Sequence, residues 1–225
     1  MSPSDSGALF QGLLEKKWPD LTPIQVQKLV QFRELVLKGN ETQNLTRIVE
    51  PIPFIEDHLL DVVEWFKTDL NPGKYVDLGS GAGIPGIVGG ILRPDPWVLT
   101  ESEGKKANFL AATTEELGLT NVQVFPGRAE VFLKTAPFND YTVVSRAVGS
   151  VSKIFGWISG CSTWNMLVLF KGPKWDEEWM EFQKDPARKR GKTTLKLMSI
   201  HKYEVGELVR QRKIIHLQNV PRGTE

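Results

Sequence analysis

Apolar positions at helical spacing are the first pattern along the chain. From Val26 to Val36, apolar side chains recur every three or four residues, which is typical of an amphipathic helix. Thr22 is a suitable N-cap, Gln25 can complete a capping box with it, and Gly39-Asn40 supplies a stop. The sequence therefore predicts a helix that begins just after Thr22 and ends near Gly39.

A second helical stripe begins near Pro51 and continues to Phe66, whereas the first twenty residues show little periodicity. The texture of the sequence changes near residue 70. We interpret residues 1–70 as an N-terminal helical extension packed on the core, and residues 71–225 as the main domain of a single compact unit.

Short apolar segments alternate with helical stretches from Lys74 onward, and two further strands are predicted near the C-terminal end. This alternation is typical of an α/β protein with a mostly parallel seven-stranded sheet and helices on both faces. The predicted strands are Tyr75–Leu78, Trp97–Glu101, Val122–Phe125, Tyr141–Ser145, Met166–Phe170, Leu195–Tyr203 and Lys213–Val220.

Composition excludes several classes of protein. With 225 residues of which 40% are hydrophobic, the chain can bury a full core, so global disorder is excluded. The lone Cys161 and three widely spaced histidines give neither a disulfide framework nor a zinc-finger spacing. No apolar run approaches the roughly 20 residues of a membrane span. We expect a cytoplasmic protein with no metal and no membrane partner.

Charge is unevenly distributed although the chain sums to only +1. The segment from Lys184 to Lys213 holds ten basic and three acidic residues, which gives +7 and leaves −6 elsewhere. Such an asymmetry is typical of a protein that offers a cationic face to a polyanion. A solvated basic loop is the alternative. The candidate phosphate-binding residues of this segment are Arg188, Lys189, Arg190 and Arg212.

A glycine-rich turn lies between the first predicted strand and the next helix. Gly79, Gly81 and Gly83 would allow the backbone to turn tightly and a ligand to approach main-chain N–H groups. Because Gly81, Gly83 and Gly86 also fit the dinucleotide pattern G-x-G-x-x-G, a nicotinamide cofactor is an alternative at this point.

Two acidic residues bear on this choice of ligand. Asp77 stands two residues before the first glycine, where its charge would disfavour a pyrophosphate and favour a cationic ligand such as S-adenosylmethionine. Glu101 ends the second strand about 20 residues downstream, where a carboxylate can accept hydrogen bonds from ribose hydroxyls. This second feature suits both cofactors.

Seven motifs in order together resemble the bacterial glucose-inhibited division protein B family, which are 16S rRNA guanine-N7 methyltransferases that use S-adenosylmethionine. The motifs extend from about residue 44 to residue 172. They are Asn44-Leu45-Thr46, His58-Leu59-Leu60-Asp61, the turn from Asp77 to Gly86, Glu101-Ser102 with Lys105-Lys106 and Phe109-Leu110, Gly127-Arg128-Ala129-Glu130, Ser145-Arg146-Ala147, and Phe170-Lys171-Gly172.

The resemblance implies a Rossmann-like class I methyltransferase domain over residues 71–225 and methylation in the decoding region of the small subunit. It implies that Ala129 and Glu130 lie against the adenine and Arg146 beside the methionine part. The candidate cofactor-binding residues are Asp77, Gly79, Ser80, Gly81, Ile84, Glu101, Ser102, Ala129, Glu130 and Arg146. The candidate RNA or substrate residues outside the basic segment are Asn44, His58, Arg128 and Lys171.

The chemistry expected of this site needs no proton transfer. Guanine N7 carries an in-plane lone pair and no proton, so holding it in near-attack geometry would suffice, and we predict no catalytic acid, base or nucleophile. We interpret Cys161 as a small buried side chain rather than a nucleophile. Asn44 and His58 have an alternative role as satisfied structural polar residues, and Lys171 as a solvated loop lysine.

The expected partner is 16S rRNA, either naked, in the 30S subunit or in an assembly intermediate, bound by a monomeric enzyme. Two other classes remain open at this point. One is a methyltransferase that acts on a small molecule or a protein. The other is a nicotinamide-dependent dehydrogenase or a non-catalytic binding module.

Overall fold

A seven-stranded sheet forms the centre of the computed structural model, which describes residues 3–68, 73–185 and 192–222. The strand order is β3-β2-β1-β4-β5-β7-β6, with β1 to β5 parallel and β7 antiparallel to both neighbours. The predicted mostly parallel, seven-stranded sheet is thus confirmed. The strands are β1 (Lys74–Leu78), β2 (Trp97–Thr100), β3 (Val122–Phe125), β4 (Tyr141–Arg146), β5 (Trp164–Lys171), β6 (Thr193–Val205) and β7 (Arg210–Pro221).

Helices cover both faces of the sheet, and strand order reverses between β1 and β4, where ligands of such sheets bind. A π-helical turn, Ile55–Leu59, separates α3 from α4. The helices are α1 (Pro3–Lys17), α2 (Pro23–Asn40), α3 (Pro51–Phe54), α4 (Leu60–Thr68), α5 (Gly86–Leu92), α6 (Gly104–Glu116), α7 (Ala129–Thr135), α8 (Val151–Ile158) and α9 (Trp175–Lys184). None of these helices of the described residues is long and apolar enough to cross a bilayer.

Two apolar cores lie on opposite faces of the sheet, as the two-residue period of its strands requires. Along β5, Val168 and Phe170 join the cluster formed with the N-terminal helices, while Leu167 and Leu169 join the cluster formed with α7, α8 and α9. Cys161 is buried in the second cluster, in agreement with its interpretation as a small core side chain.

The capping box predicted for α2 is present. The Gln25 N–H donates to the Thr22 hydroxyl at 3.3 Å, and the Thr22 N–H donates to the Gln25 side-chain oxygen at 2.9 Å. The helix ends at Asn40, within the predicted stop Gly39-Asn40. Local sequence signals therefore set both ends of this helix.

The first twenty residues show little periodicity in the sequence, but Pro3–Lys17 form α1 in the structure. Phe10 and Leu14, one helical turn apart, are fully buried, and the Phe10 ring packs edge-on against Phe54 at 5.8 Å. Such a short apolar stripe gives weak periodicity in the sequence, and the helix is stabilised by packing on α2 and α3 rather than by its own propensity. A division into two domains near residue 70 stays a prediction.

Candidate functional site

Four predicted site residues lie at the carboxyl edge of the parallel strands. Gly79 follows β1, Glu101 follows β2, Arg146 ends β4 and Lys171 ends β5. Because β1 pairs with both β2 and β4, the glycine turn has Glu101 on one side and the segment after Arg146 on the other. This edge therefore gathers the groups that the sequence places far apart.

The glycine turn is built from backbone conformations that suit glycine. Gly79, Gly81 and Gly83 have φ values of 73°, 55° and 90°. At Gly79 an added Cβ would lie 2.9 Å from the side chain of Val148. Glu101 braces the turn, because its Oε2 accepts the Gly81 N–H at 3.0 Å. The turn thus presents bare main chain beside a fixed carboxylate.

Asp77 is buried beneath this turn, with 1% of its surface exposed. Its Oδ2 accepts the Gly86 N–H at 3.0 Å, while its Oδ1 has no hydrogen-bond partner. Burial raises the pKa of Asp77 to about 7, against the opposing effects of its hydrogen bonds to Gly86 and Ser80. From the sequence we expect Asp77 to face the ligand as a charge. In the structure, Asp77 is instead a buried group that organises the turn and keeps one oxygen unpaired.

The other candidate cofactor residues flank this turn at the ends of β1, β2 and β3. Ser80, Ile84 and Ala129 are buried, Glu130 is partly buried, and Ser102 is exposed. The Ser80 N–H donates to the Thr100 carbonyl at 3.1 Å, which ties the turn to β2. Their contact with an adenosine stays a prediction.

Arg146 is held by three groups from the π-helical turn Ile55–Leu59 and the start of α4. Its Nε donates to the Asp61 carboxylate at 3.0 Å, its Nη1 donates to His58 Nδ1 at 3.2 Å, and its Nη2 donates to the carbonyl of Asp57. The Arg146 side chain is 15% exposed. These contacts fix the guanidinium in one orientation at the end of β4.

His58 is a neutral acceptor for Arg146. Burial and the Arg146 charge lower the pKa of His58 to about 4, so the ring is uncharged at neutral pH. With Nδ1 accepting from Arg146, the ring proton must reside on Nε2, which donates to the Thr46 hydroxyl at 2.9 Å. The two motifs that contain Asn44 and His58 therefore meet at this point, with His58 supporting Arg146.

Asp61 joins two arginines and a tyrosine. It is fully buried and accepts hydrogen bonds from Arg212 Nη1 at 2.9 Å and from the Tyr203 hydroxyl at 2.6 Å, besides that from Arg146. Burial raises the pKa of Asp61, and the two guanidinium groups act against this rise. Burial and the adjacent Asp61 also raise the pKa of Tyr203. The Asp61 oxygens are thus fully used by protein donors.

A pocket of about 470 Å³ opens beside this cluster, at the ends of β4, β5 and β7. Its volume is in the range of small-ligand sites. Ala147, which lines it, has a φ of 59°, a left-handed conformation that is uncommon outside glycine. The charged residues that line the pocket are four cations and the already engaged carboxylate: Arg146, Lys171, Arg210, Arg212 and Asp61.

The structure places the remaining substrate candidates in different surroundings. The side chain of Arg128 is 67% exposed and lies 3.7 Å from Glu130. Lys171 donates to the Gly149 carbonyl and to Glu178, both at 2.8 Å, so it is engaged by α9 rather than a solvated loop lysine. Asn44 is exposed in the loop between α2 and α3.

The basic segment is divided by its partners. Arg188, Lys189 and Arg190 lie outside the described residues. Lys213 is buried and pairs with Asp176 at 2.7 Å, and Arg212 is held by Asp57 and Asp61. Lys184, Lys192, Lys196 and Lys202 are exposed. A uniform cationic face is therefore not formed by the described part of this segment.

Comparison with known proteins identifies the family. A family model described as GidB, rRNA small subunit methyltransferase G, matches residues 25–208. The chain belongs to this family. It is 31% identical over 198 residues to the ribosomal RNA small subunit methyltransferase G of Yersinia pseudotuberculosis serotype O:3 (strain YPIII), a match that covers 87% of this chain and 90% of the relative.

A second bacterium gives a similar match. The protein of the same name from Solibacter usitatus (strain Ellin6076) is 33% identical over 187 residues, which cover 82% of this chain and 86% of that protein. The resemblance drawn from the motifs between Asn44 and Gly172 is thereby confirmed.

Solved structures support the fold alone. The crystal structure of MtNAS in complex with MTA and tNA has a TM-score of 0.54 at 14% identity, and covers 94% of this chain and 76% of that one. The METTL16 methyltransferase domain has a TM-score of 0.52 at 15% identity, and the match covers 96% of this chain and 79% of that one. The Rossmann-like class I methyltransferase fold is confirmed.

Three residues of the polar cluster around Arg146 and Arg212 are not predicted from the sequence: Asp57, Asp61 and Tyr203. Asp57 and Asp61 occur within an apolar helical stripe, where two buried carboxylates four residues apart would have indicated buried cationic partners. Tyr203 carries no such signal in the sequence. Its role depends on a contact with Asp61 across 142 residues of chain.

Proposed function

We propose that this protein transfers a methyl group from S-adenosylmethionine to N7 of a guanine in 16S rRNA. The observation that carries the proposal is the pocket at the ends of β4, β5 and β7, whose charged side chains are cations around one fully engaged carboxylate. Membership in the GidB family supports the RNA substrate and the methyl donor. The relatives' full length is largely covered by this chain.

The glycine turn fits this methyl donor. Glu101 would accept hydrogen bonds from the ribose hydroxyls, since each of its oxygens accepts only one backbone N–H. Asp77 supports this turn from beneath, because its Oδ2 accepts the Gly86 N–H. When bound, S-adenosylmethionine supplies a sulfonium methyl: the N7 lone pair forms the new N–C bond, the S–C electrons stay on sulfur, and no proton moves.

The pocket suits the major-groove edge of guanine, which presents O6 and N7 as acceptors. Arg146 has more N–H groups than its three protein partners use, because a guanidinium carries five. A remaining N–H can donate to O6 and leave the N7 lone pair free. Asp61 cannot act as a general base here because both of its oxygens accept protein donors, and the proposed reaction requires none.

We further propose 16S rRNA in a 30S subunit or an assembly intermediate as the natural partner of a monomeric, cytoplasmic enzyme. The exposed lysines of the β6 strand, Lys196 and Lys202, would add salt-dependent contacts with phosphates. Arg188, Lys189 and Arg190 are the other candidates for this role.

The function is tested by incubating the chain with labelled S-adenosylmethionine and either naked 16S rRNA or 30S particles. We expect label in one guanine, at which borohydride reduction followed by aniline cleaves the RNA as it does at 7-methylguanosine. Label in protein or in small molecules instead of rRNA would contradict the proposal. Thermal stabilisation by NAD but not by S-adenosylhomocysteine would contradict the cofactor.

A matched pair of variants tests the cofactor site. We expect Glu101→Ala to weaken S-adenosylhomocysteine binding by about tenfold or more, since two hydrogen bonds to a carboxylate are lost. Glu103→Ala is the control, because Glu103 pairs with Lys106 at the surface, with 56% of its side chain exposed. Equal affinities of the two variants in calorimetry would refute the placement of Glu101.

A further inference from the structure

The hairpin formed by β6 and β7 extends past the edge of the sheet on which the pocket lies. The last residue of β5, Lys171, pairs with Lys213, whereas β7 begins three residues earlier at Arg210. The turn between the strands, residues 206–209, therefore projects beyond the carboxyl ends of the parallel strands. Arg210, Gln211 and Arg212 line the pocket, so the turn directly precedes the first of these lining residues.

Ion pairs hold the base of this hairpin. Arg210 Nη1 lies 2.8 Å from Asp57, and the second guanidinium nitrogen of Arg210 lies 3.8 Å from Glu56. Arg212 of β7 and Tyr203 of β6 both donate hydrogen bonds to Asp61. These cations are paired with carboxylates of the π-helical turn and of the first turn of α4, so their main effect is to fix the hairpin rather than to attract phosphate.

The tip of the hairpin is apolar. Leu208 is 89% exposed, the most exposed large hydrophobic side chain of the described residues, and Val209 is 51% exposed. Val209 has a φ of 50°, a strained conformation for a β-branched residue. Among the described residues, the other non-glycine residue with positive φ is Ala147, which lines the pocket. Exposure and strain therefore coincide at the rim of one site.

We propose that Leu208 and Val209 form a wedge that enters the RNA base stack next to the target guanine. The proposal rests on the proposed function. Apolar side chains that enter between base steps unstack them, and a base acted on by an enzyme must leave its stack. In an A-form helix the groove that carries N7 is deep and narrow, so unstacking is what brings N7 within reach.

The chemistry of the tip favours bases over phosphates. Leu208 and Val209 carry no charge, and the adjacent Glu207, which is exposed, repels phosphate. The faces of unstacked bases are the extended apolar surface that RNA offers. A wedge anchored by Arg210 and Arg212 would keep its position when it is pushed into a stack.

The wedge is tested with 2-aminopurine placed beside the target guanine, in whichever substrate the wild-type chain methylates. Fluorescence of this base rises when it is unstacked. With S-adenosylhomocysteine present, we expect the wild-type chain to raise the fluorescence and Leu208→Ser to abolish most of the rise. We also expect the Leu208→Ser variant to methylate the guanine at about one tenth of the wild-type rate or slower. Its affinity for S-adenosylhomocysteine and its Tm should be unchanged.

Ile24→Ser is the matched control. Ile24 is also an exposed apolar residue, at 58%, but it lies at the start of α2 near Leu92 and Arg93, at the amino edge of the sheet. We expect this variant to behave as the wild type in both assays. A control variant that loses fluorescence as Leu208→Ser does would overturn the proposal, because the effect would then not depend on the tip.

Val209→Asn separates the wedge from a structural role. Asparagine tolerates positive φ, so we expect Tm to rise by about 2 °C while the fluorescence change falls. Wild-type unstacking in both tip variants would overturn the wedge and leave the proposed function intact. If the tip variants lose methylation only with 30S particles and not with naked 16S rRNA, the tip contacts a protein partner instead of a base stack. A wild-type chain that methylates no guanine would refute the proposed function and the wedge with it.

Discussion

The glycine turn and the Asp61 cluster lie at the same edge of the sheet but are built in opposite ways. The turn is a contiguous segment whose backbone conformation is set by Gly79, Gly81 and Gly83. The cluster consists of side chains separated by 85 residues between Asp61 and Arg146, and by 151 between Asp61 and Arg212. The side of the site that we propose for the cofactor is local, whereas the side that we propose for the substrate depends on the whole fold.

This difference has an energetic consequence. A substitution in the turn changes local backbone strain, which costs one to a few kcal/mol. Removal of a charged member of the cluster leaves buried charges without partners, which costs more. We therefore expect variants of the cluster to lose stability together with activity, and variants of the turn to lose ligand affinity first.

The largest effect is expected for Asp61→Ala. It removes a buried carboxylate that binds Arg146, Arg212 and Tyr203, and breaking such an arrangement costs about 3–5 kcal/mol. Denaturant unfolding measures the loss. Asp140→Ala is the control, because its ion pair with Lys74 is exposed and is expected to contribute at most about 1 kcal/mol. Similar losses of unfolding free energy in the two variants would show that the cluster contributes no more to stability than an exposed ion pair.

A pH dependence is expected from Asp77, which lies in β1 beneath the turn. Its pKa is raised from 3.8 to about 7, so the folded state binds a proton that the unfolded state releases. The free energy of unfolding should therefore fall as pH rises from about 4 to about 7, by at most about 4 kcal/mol for this group. Asp77→Asn should remove this slope and be relatively more stable above pH 7. Parallel pH profiles of variant and wild type would contradict the raised pKa.

A smaller effect is expected for Gly79→Ala. The added Cβ meets Val148 at 2.9 Å in a backbone with a φ of 73°, which should cost about 1–2 kcal/mol. Calorimetry should show weakened binding of S-adenosylhomocysteine by a folded variant. Gly104→Ala is the matched control, because nothing lies within 4 Å of an added Cβ there and the site is helical. Unchanged affinity in Gly79→Ala would remove the turn from the cofactor site.

The smallest effect is expected for Tyr203→Phe, which deletes one hydrogen bond to Asp61 and leaves both arginines in place. We expect a loss of about 1 kcal/mol. In a double-mutant cycle with Asp61→Ala, the two losses should not add, since the hydroxyl has no role without the carboxylate. Additive losses would place Tyr203 outside the cluster.

The sequence predicted the turn and the strands well because their signals are local. Short apolar segments between helical stretches mark β1 to β5, and the capping box of Thr22 and Gln25 marks the start of α2. It failed for α1, where Phe10 and Leu14 alone carry the stripe, and it missed the burial of Asp57 and Asp61. A buried carboxylate is tolerated only with its partners, and those partners are distant in the chain.

By itself, the sequence determined the strand and helix pattern, the glycine turn with its acidic neighbour at Glu101, and the family resemblance. These depend on residues within a few positions of one another, or on strand ends that a parallel sheet brings to one edge. Only the tertiary structure decided that Asp77 is buried, that Arg146 and Arg212 share Asp61, and that Leu208 projects beside the pocket. Burial and charge pairing are properties of distant segments in contact, and no local pattern encodes them.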